Sequence, residues 1–433
     1  MKRLCLAALV LLVLVGVWLA IATRENDAPG SAPTGVGEPS GATLLARGEY
    51  LTRAADCAAC HTTHDGRPFA GGVAFKLPFG TIYSSNITSD LETGIGRWSE
   101  AEFERALHEG IRKDGARLYP AFPYTSYTAL SRGDISAIRT YLMSLAAVRQ
   151  PNRENELRFP FNQRLLMTFW DAVFFKSKRF ESEPERSVDW NRGAYLATAL
   201  GHCGECHTPR NMGFATKRGQ EFAGSVVDGW RAPNITPDRA HGVGTWSEAS
   251  LAEYLTTGHA DGHGSAGGPM GEAVEKSLQY LSPEDATALV AYLRSRPAQA
   301  GKEPIEVNPR PSEALLSTAA APATSSGPQN ALGRRVFAWS CASCHAWNGQ
   351  GRETPYASLV GARSVNDAKG TNVVKMILQG AHENIHGSDV MMPSFSTYSD
   401  VEIAAMANYV VYQFGDKNGQ VTADAVHQQR DSK

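Results

Sequence analysis

Cys57-Ala58-Ala59-Cys60-His61 decides the reading of this chain. The pattern returns as Cys203-Gly204-Glu205-Cys206-His207 and again as Cys341-Ala342-Ser343-Cys344-His345. C-x-x-C-H is the attachment signature of a c-type haem. Its two thiols add across the vinyl groups of the porphyrin, and the adjacent His places a ring nitrogen under the iron as proximal ligand. Two intervening residues let one helical turn present both sulfurs to one edge of the macrocycle. A single match also fits a thiol–disulfide motif with a stray His. Three matches, each the only close Cys pair of its region, do not. The sequence therefore predicts three covalently bound haem c groups. Cys57, Cys60, Cys203, Cys206, Cys341 and Cys344 attach them, and His61, His207 and His345 bind the iron.

Outward from the motifs, the chain has 433 residues and seven cysteines, of which only Cys5 lies outside them. No pair is left for a structural disulfide. A net charge of −2 gives no basic footprint for nucleic acid. Lys2 and Arg3 precede Leu4 to Ala22, a run of 19 residues without a charge. That is nearer the roughly 20 residues of a spanning helix than the roughly 7–15 of a cleaved signal. Ala20-Ile21-Ala22 also fits a cleavage site, so residues 1–22 are a signal peptide or a transmembrane anchor. Either one leaves Thr23 onward outside the cytoplasmic membrane. Residues 23–44 are rich in Gly, Pro, Ser and Thr and read as a flexible tether.

The chain then repeats. Arg47-Gly48-Glu49-Tyr50-Leu51 returns as Arg192-Gly193-Ala194-Tyr195-Leu196, and Asn86-Ile87-Thr88 as Asn234-Ile235-Thr236. Gly94-Ile95-Gly96-Arg97-Trp98-Ser99-Glu100 returns as Gly242-Val243-Gly244-Thr245-Trp246-Ser247-Glu248. A duplicated unit of roughly 100 residues is the economical account. The two Asn-x-Thr triplets match a glycosylation pattern, but their place in the repeat favours a structural turn. Ser99 with Glu102 has the form of a capping box, followed by apolar residues at helical spacing. Ser131, Ser282 and Ser399 open the last helix of each unit.

The predicted architecture is all-α: three tandem cytochrome c domains after the N-terminal signal or anchor helix. They span residues 45–147, 190–297 and 330–415, with a connecting segment at 148–189, a linker at 298–329 and a polar tail at 416–433. The connecting segment carries Leu165-Leu166-Met167-Thr168-Phe169-Trp170 and Val173-Phe174-Phe175. It reads as a helix buried between units or as a docking surface for a partner or membrane.

A haem that only carries electrons has both axial positions filled, the second most often by Met. Met270, in Gly268-Pro269-Met270-Gly271, lies 63 residues after His207, and Met392, in Met391-Met392-Pro393, lies 47 after His345. Each precedes the last helix of its unit. Met270 and Met392 are therefore the expected distal ligands, with Met391 an alternative to Met392. The first unit breaks the pattern, because Phe122, 61 residues after His61, stands where a ligand is expected. Its haem is open, or takes Met143, or takes a His such as His108 or His64. No nucleophile triad, phosphate loop or carboxylate pair stands out, so no catalytic residue is expected.

The run R-G-x-Y-L, C-x-x-C-H-T, N-I-T and W-S, used twice and followed by a unit ending M-P-x-F and D-x-E-I-A, resembles the triple-haem cytochrome c subunits of membrane-bound periplasmic dehydrogenases. The resemblance covers about Leu45 to Gly415. It implies an electron-transfer subunit rather than a complete enzyme. Its partner would be a catalytic dehydrogenase subunit: a quinoprotein, a flavoprotein or a molybdenum enzyme. Its acceptor would be ubiquinone or another acceptor in the membrane, and its place the periplasmic side of the bacterial inner membrane, anchored or peripherally attached. Many such subunits have Met within the stretch matching Pro120-Ala121-Phe122-Pro123. Phe122 departs from that, in the direction of the subunits that accompany molybdenum hydroxylases. Two other readings stay open: an enzyme acting at an open first haem, and a free-standing shuttle to a terminal oxidase.

Overall fold

The computed structural model describes residues 44–64, 66–300, 328–415 and 419–431. The N-terminal apolar run, the tether and most of the linker lie outside the described residues. Among the described residues no helix is long and apolar enough to cross a membrane.

One helix–helix contact is written three times. Helix α1 (Leu44–Ala54) packs on α3 (Arg132–Ser144), α5 (Val188–Tyr195) on α8 (Pro283–Arg294), and α9 (Pro328–Ser340) on α11 (Asp400–Gly415). A glycine sits at each crossing. A Cβ on Gly48, Gly193 or Gly333 would stand 2.0, 1.9 or 2.2 Å from the carbonyl oxygen of Ala137, Ala288 or Ala405. The backbones approach closely because the side chain is missing. Gly193→Ala is expected to cost about 1–3 kcal/mol through overpacking, read as a lower denaturant midpoint at unchanged slope.

The remaining helices follow local signals. Ser99 caps α2 (Glu100–Glu109) in the expected box: its hydroxyl accepts from Glu102 N at 3.2 Å, and the Glu102 carboxylate accepts from Ser99 N at 2.7 Å. Ser247 caps the equivalent α6 (Glu248–Thr257) by accepting from Ser250 N at 3.0 Å. Gly48 precedes its motif by nine residues and Gly193 by ten. The extra residue is absorbed as one π-helical turn, Leu196–Leu200, at the end of α5. Asp56 and His202, each just before the first motif cysteine, both take positive φ, 53° and 36°.

The fold is helical with small antiparallel additions. β1 (Ala74–Leu77), β2 (Gly80–Tyr83) and β3 (Glu156–Leu157) form one sheet. β4 (Ser225–Val227) pairs with β5 (Trp230–Ala232), β6 (His259–Ala260) with β7 (Gly264–Ser265), and β8 (Ala381–Ile385) with β9 (Ser388–Met392). The purely helical expectation is corrected to that extent. The hairpins were hidden because Gly-rich connectors such as Gly262 to Gly264 carry no strand periodicity.

Two hydrophobic cores form. One runs without a break through the first and second repeats, and the other lies within the last. The first two repeats exchange a tyrosine. Arg47 pairs with Asp134 of its own unit, and Arg192 with Asp285 of its own. Tyr195 reaches back to donate to Asp134 Oδ2 at 2.5 Å, and Tyr50 reaches forward to donate to Asp285 Oδ2. Each hydroxyl also accepts the backbone N–H of the serine capping the helix it touches, Ser131 at 3.0 Å and Ser282 at 3.3 Å. The repeated R-G-x-Y is therefore a helix crossing and a lock between units.

Two expectations outside the motifs need correcting. The connecting segment forms α4 (Leu165–Phe174), which touches both units but is not fully buried between them: Leu165, Phe169 and Val173 are 71%, 60% and 66% exposed. Its inner face is held by the first unit, where Asp171 accepts from Tyr124 Oη at 2.6 Å and pairs with Arg117 at 3.0 Å, and by the second, where Trp170 Nε1 donates to Gly213 O at 2.7 Å. The stretch read as a polar tail contains a helix, α12 (Ala423–Asp431), docked by buried Val421 and Val426 and by Arg430 Nε on Asp400 at 3.0 Å. Two valines among polar residues were too sparse a signal to find it.

Candidate haem centres

Each motif forms a short helical turn that ends on its histidine: Cys57–His61, Gly204–His207 and Ala342–His345. The six cysteines are free. Burial pushes the Cys60, Cys203 and Cys341 thiols up to about 12 and Cys206 to about 11. They stay protonated at neutral pH, unlike the low-pKa thiolates of redox dithiols.

The three histidines share one arrangement. Nδ1 of His61 lies 2.6 Å from the Ser85 carbonyl, Nδ1 of His207 2.7 Å from Pro233, and Nδ1 of His345 2.7 Å from Ala357. A carbonyl only accepts, so Nδ1 carries the proton and Nε2 keeps its lone pair. Burial lowers all three pKa values, which keeps the rings neutral. A neutral imidazole oriented through Nδ1–H is the form that binds a metal through Nε2.

The repeat explains how the carbonyl is held. Ser85 and Pro233 immediately precede the Asn-Ile-Thr triplets. Asn86 accepts from Thr88 N at 2.9 Å and Asn234 from Thr236 N at 2.8 Å, closing a turn just behind the carbonyl. Both asparagines are buried, so the triplets serve as turns.

A cavity of about 1600 Å³ connects the motifs. Its walls include Cys60, Cys203, Cys206, His207, Cys341, Cys344 and His345. Trp246, Leu251, Leu255, Leu289 and Leu293 line it in the second repeat, and Phe337, Val373, Ile377 and Val410 in the last. Free thiols, Nε2-directed histidines and a continuous apolar lining fit covalently attached haem at the second and third motifs. The first repeat differs. Phe103, Leu107, Ile138 and Leu142, which match Leu251, Leu255, Leu289 and Leu293, are buried in the same core as these but do not line the cavity. Of its motif, Cys60 lines the cavity, while Cys57 packs against the core.

The methionines sort by position. Met270, on the first turn of α7 (Pro269–Lys276), lines the cavity shared with His207. Met392 and Met391 both line it at the end of β9, but Met391 is 72% exposed. Met376, on α10 (Thr371–Gln379), and Met406 of α11 also line it, and Met406 Sδ lies 3.6 Å from Cys341 Sγ. Sequence reasoning passed over both because mid-helix methionines read as core. For the first repeat, His108 is removed as a ligand candidate: Nδ1 is bonded to Thr128 O at 2.7 Å and Nε2 to Ser177 Oγ at 3.0 Å. Met143 packs against the core and His64 is exposed. Phe122 lies against Tyr127 at 5.4 Å. Met167 of α4, which carried no role in the sequence, lines the cavity beside Tyr119 and Pro120.

The hairpin bearing Met392 carries a titrating group. Burial, then the Glu275 and Glu272 carboxylates, raise Glu383 from its ordinary 4.5 to about 7. A raised carboxyl pKa favours folding in the protonated state. Its contribution is complete below about pH 4.5 and is lost as pH rises through about 7. Between pH 5 and 8 the protein is expected to lose roughly 2–3 kcal/mol from this group. Denaturant titrations at the two pH values measure it; Glu383→Gln should flatten the slope, and an unchanged slope would exclude Glu383 as its source.

The cytochrome c family profile matches residues 191–297 and 330–413. The chain is 40% identical over 401 residues to the fructose dehydrogenase cytochrome subunit of Gluconobacter japonicus, covering 89% of this chain and 82% of that protein. It is 36% identical over 391 residues to the gluconate 2-dehydrogenase cytochrome c subunit of Pantoea cypripedii, covering 86% of each. It is 42% identical over 401 residues to a nicotinate dehydrogenase subunit of Pseudomonas putida, covering 91% of this chain but 32% of that longer protein. The chain thus belongs to the cytochrome c family, whose members hold haem c covalently, and within it to the dehydrogenase cytochrome subunits.

Proposed function

We propose that this chain is a triple-haem c-type cytochrome, the electron-transfer subunit of a dehydrogenase complex. It passes electrons from a catalytic dehydrogenase partner to ubiquinone or another respiratory acceptor on the periplasmic side of the inner membrane. Three cytochrome c units in tandem follow the N-terminal signal or anchor. Cys57 and Cys60, Cys203 and Cys206, and Cys341 and Cys344 attach the haems; His61, His207 and His345 are proximal ligands, and Met270 and Met392 distal ones. Bound haem supplies a one-electron iron couple. The chain's residues do the rest. The Ser85, Pro233 and Ala357 carbonyls fix the imidazole tautomer, and the apolar walls exclude water.

The observation that carries this reading is the thrice-repeated Nδ1–carbonyl contact, with one cavity that His207 and His345 line and that Cys60 of the first motif reaches. At about 1600 Å³ that cavity exceeds the range of roughly 300–1,000 Å³ usual for a single small ligand. Relatives named as subunits of fructose and gluconate dehydrogenases support a dehydrogenase partner. Purification from native membranes in mild detergent, with haem counting by mass and identification of the co-purifying subunit, tests it. Three haems per chain and a partner whose substrate reduces them are expected. Repeated isolation of the cytochrome alone, with fewer haems, would overturn the reading.

A further inference from the structure

Arg363 belongs to the third repeat by sequence, on the short turn Arg363–Asn366, but its guanidinium lies inside the second. Nη1 donates to the carbonyls of Asn234 at 3.0 Å and His241 at 3.2 Å, and Nη2 to that of Gly242. The guanidinium carbon stands 5.9 Å from the centre of the Trp246 ring. His263 stacks on the same ring at 3.8 Å, with planes 12° apart. Arg363, His263, Trp246 and Tyr254 all line the haem cavity. Arg363 Nε and His263 Nδ1 are buried and without a hydrogen-bond partner among the described residues.

The charge is the unusual part. Burial lowers the Arg363 pKa to about 10, which leaves it ionised at neutral pH. Its hydrogen bonds are all to carbonyl oxygens, and among the described residues no carboxylate forms an ion pair with it. A buried cation without a counter-ion is costly. Its planar fork of donors suits a carboxylate. A haem bears two carboxylates of its own, on the propionate arms. Asn234, whose carbonyl accepts from Arg363, directly follows Pro233, whose carbonyl holds His207 Nδ1 at 2.7 Å, so the guanidinium stands near the second motif.

We propose that Arg363 and His263 form a carboxylate cradle, and that the third repeat thereby supplies the counter-charge for a propionate of the haem held at Cys203, Cys206 and His207. The proposal rests on the haem assignment made above. Arg363 is a positioning and potential-setting residue. A cation beside the second haem stabilises its reduced form relative to its oxidised form, so removing the cation lowers that midpoint. The third repeat would then set the potential of its neighbour.

The test is spectroelectrochemical titration of the full, haem-loaded chain carrying Arg363→Gln, Arg363→Lys or His263→Gln, with resonance Raman spectra of the propionate bending modes. Arg363→Gln is expected to lower one midpoint by about tenfold in its one-electron equilibrium, about 59 mV, and to shift the propionate mode of that haem. Arg363→Lys should recover part of the shift. His263→Gln should move the same haem in the same direction by less. Three unchanged midpoints in a fully loaded Arg363→Gln chain overturn the cradle and leave the haem assignment standing. If Arg363→Gln does not fold, His263→Gln decides: an unshifted midpoint and an unshifted propionate mode overturn it. An unsubstituted chain lacking haem at the second motif sinks the underlying assignment instead.

Discussion

Asp285→Ala is expected to destabilise the protein by about 3–5 kcal/mol, the usual cost of removing one partner from a buried ion pair. Asp285 and Arg192 are 1% and 2% exposed, and they meet through two contacts, Nε to Oδ1 at 2.8 Å and Nη2 to Oδ2 at 2.6 Å. The truncation removes both contacts from a guanidinium that water barely reaches. It also strips Tyr50 of its acceptor across the boundary between repeats. The mirror-image variant is the internal control. Asp134 accepts both Arg47 donors on the single oxygen Oδ1, and Arg47 is 32% exposed, so water can replace the lost carboxylate. Asp134→Ala should therefore cost less than Asp285→Ala, although both aspartates accept a tyrosine from the other repeat. Guanidinium titrations followed by tryptophan fluorescence give the two values, and a double-mutant cycle with Tyr50→Phe gives the inter-repeat part. Equal losses for the two aspartates would show that burial of the arginine is not the deciding factor.

That asymmetry was invisible in the sequence, although the residues were not. Arg47 and Arg192 occupy matching positions in a repeat legible from end to end, and their different burial depends on what lies outside each unit. The same division runs through the molecule. The haem motifs, the serine caps and the Asn-Ile-Thr turns are local, so spacing and residue type were enough to find them. The carbonyls that orient His61, His207 and His345 were not legible, because any residue supplies a carbonyl. The tyrosine exchange was not legible because R-G-x-Y looks the same whether its hydroxyl bonds within a unit or across a boundary. Arg363 sits in a segment with no repeat partner, and only folding carries it into the second repeat. The first repeat shows the converse. Phe122 already marked it as divergent, and two observations agree: the family profile matches only the later repeats, and Phe103, Leu107, Ile138 and Leu142 do not line the cavity, whereas their equally buried counterparts Leu251, Leu255, Leu289 and Leu293 do.

Met270→His is expected to lower one haem midpoint by on the order of 0.1 V, within the roughly 0.8 V range over which axial ligands set haem potentials. A thioether favours reduced iron more than a second imidazole does, so the sign is downward. At 59 mV per tenfold for one electron, such a shift changes the equilibrium at that haem by about fiftyfold. The effect should be confined to one haem. Met270 lines the same cavity as His207, on the first turn of a helix started by Gly268 and Pro269. Gly268 has φ 56°, and a Cβ there would stand 2.5 Å from the Trp230 ring, so the loop cannot move toward that wall. The added imidazole therefore stays where the thioether was. Low-temperature EPR should show one low-spin signal change from Met–His to bis-His character, with the others unchanged. The same change at Met392 should move a different haem, and at Met391, which is largely exposed, should move none. If Met391→His rather than Met392→His shifts a midpoint, the hairpin presents its other methionine to the iron. If Met270→His leaves all midpoints in place, the second haem takes its distal ligand from elsewhere in the cavity.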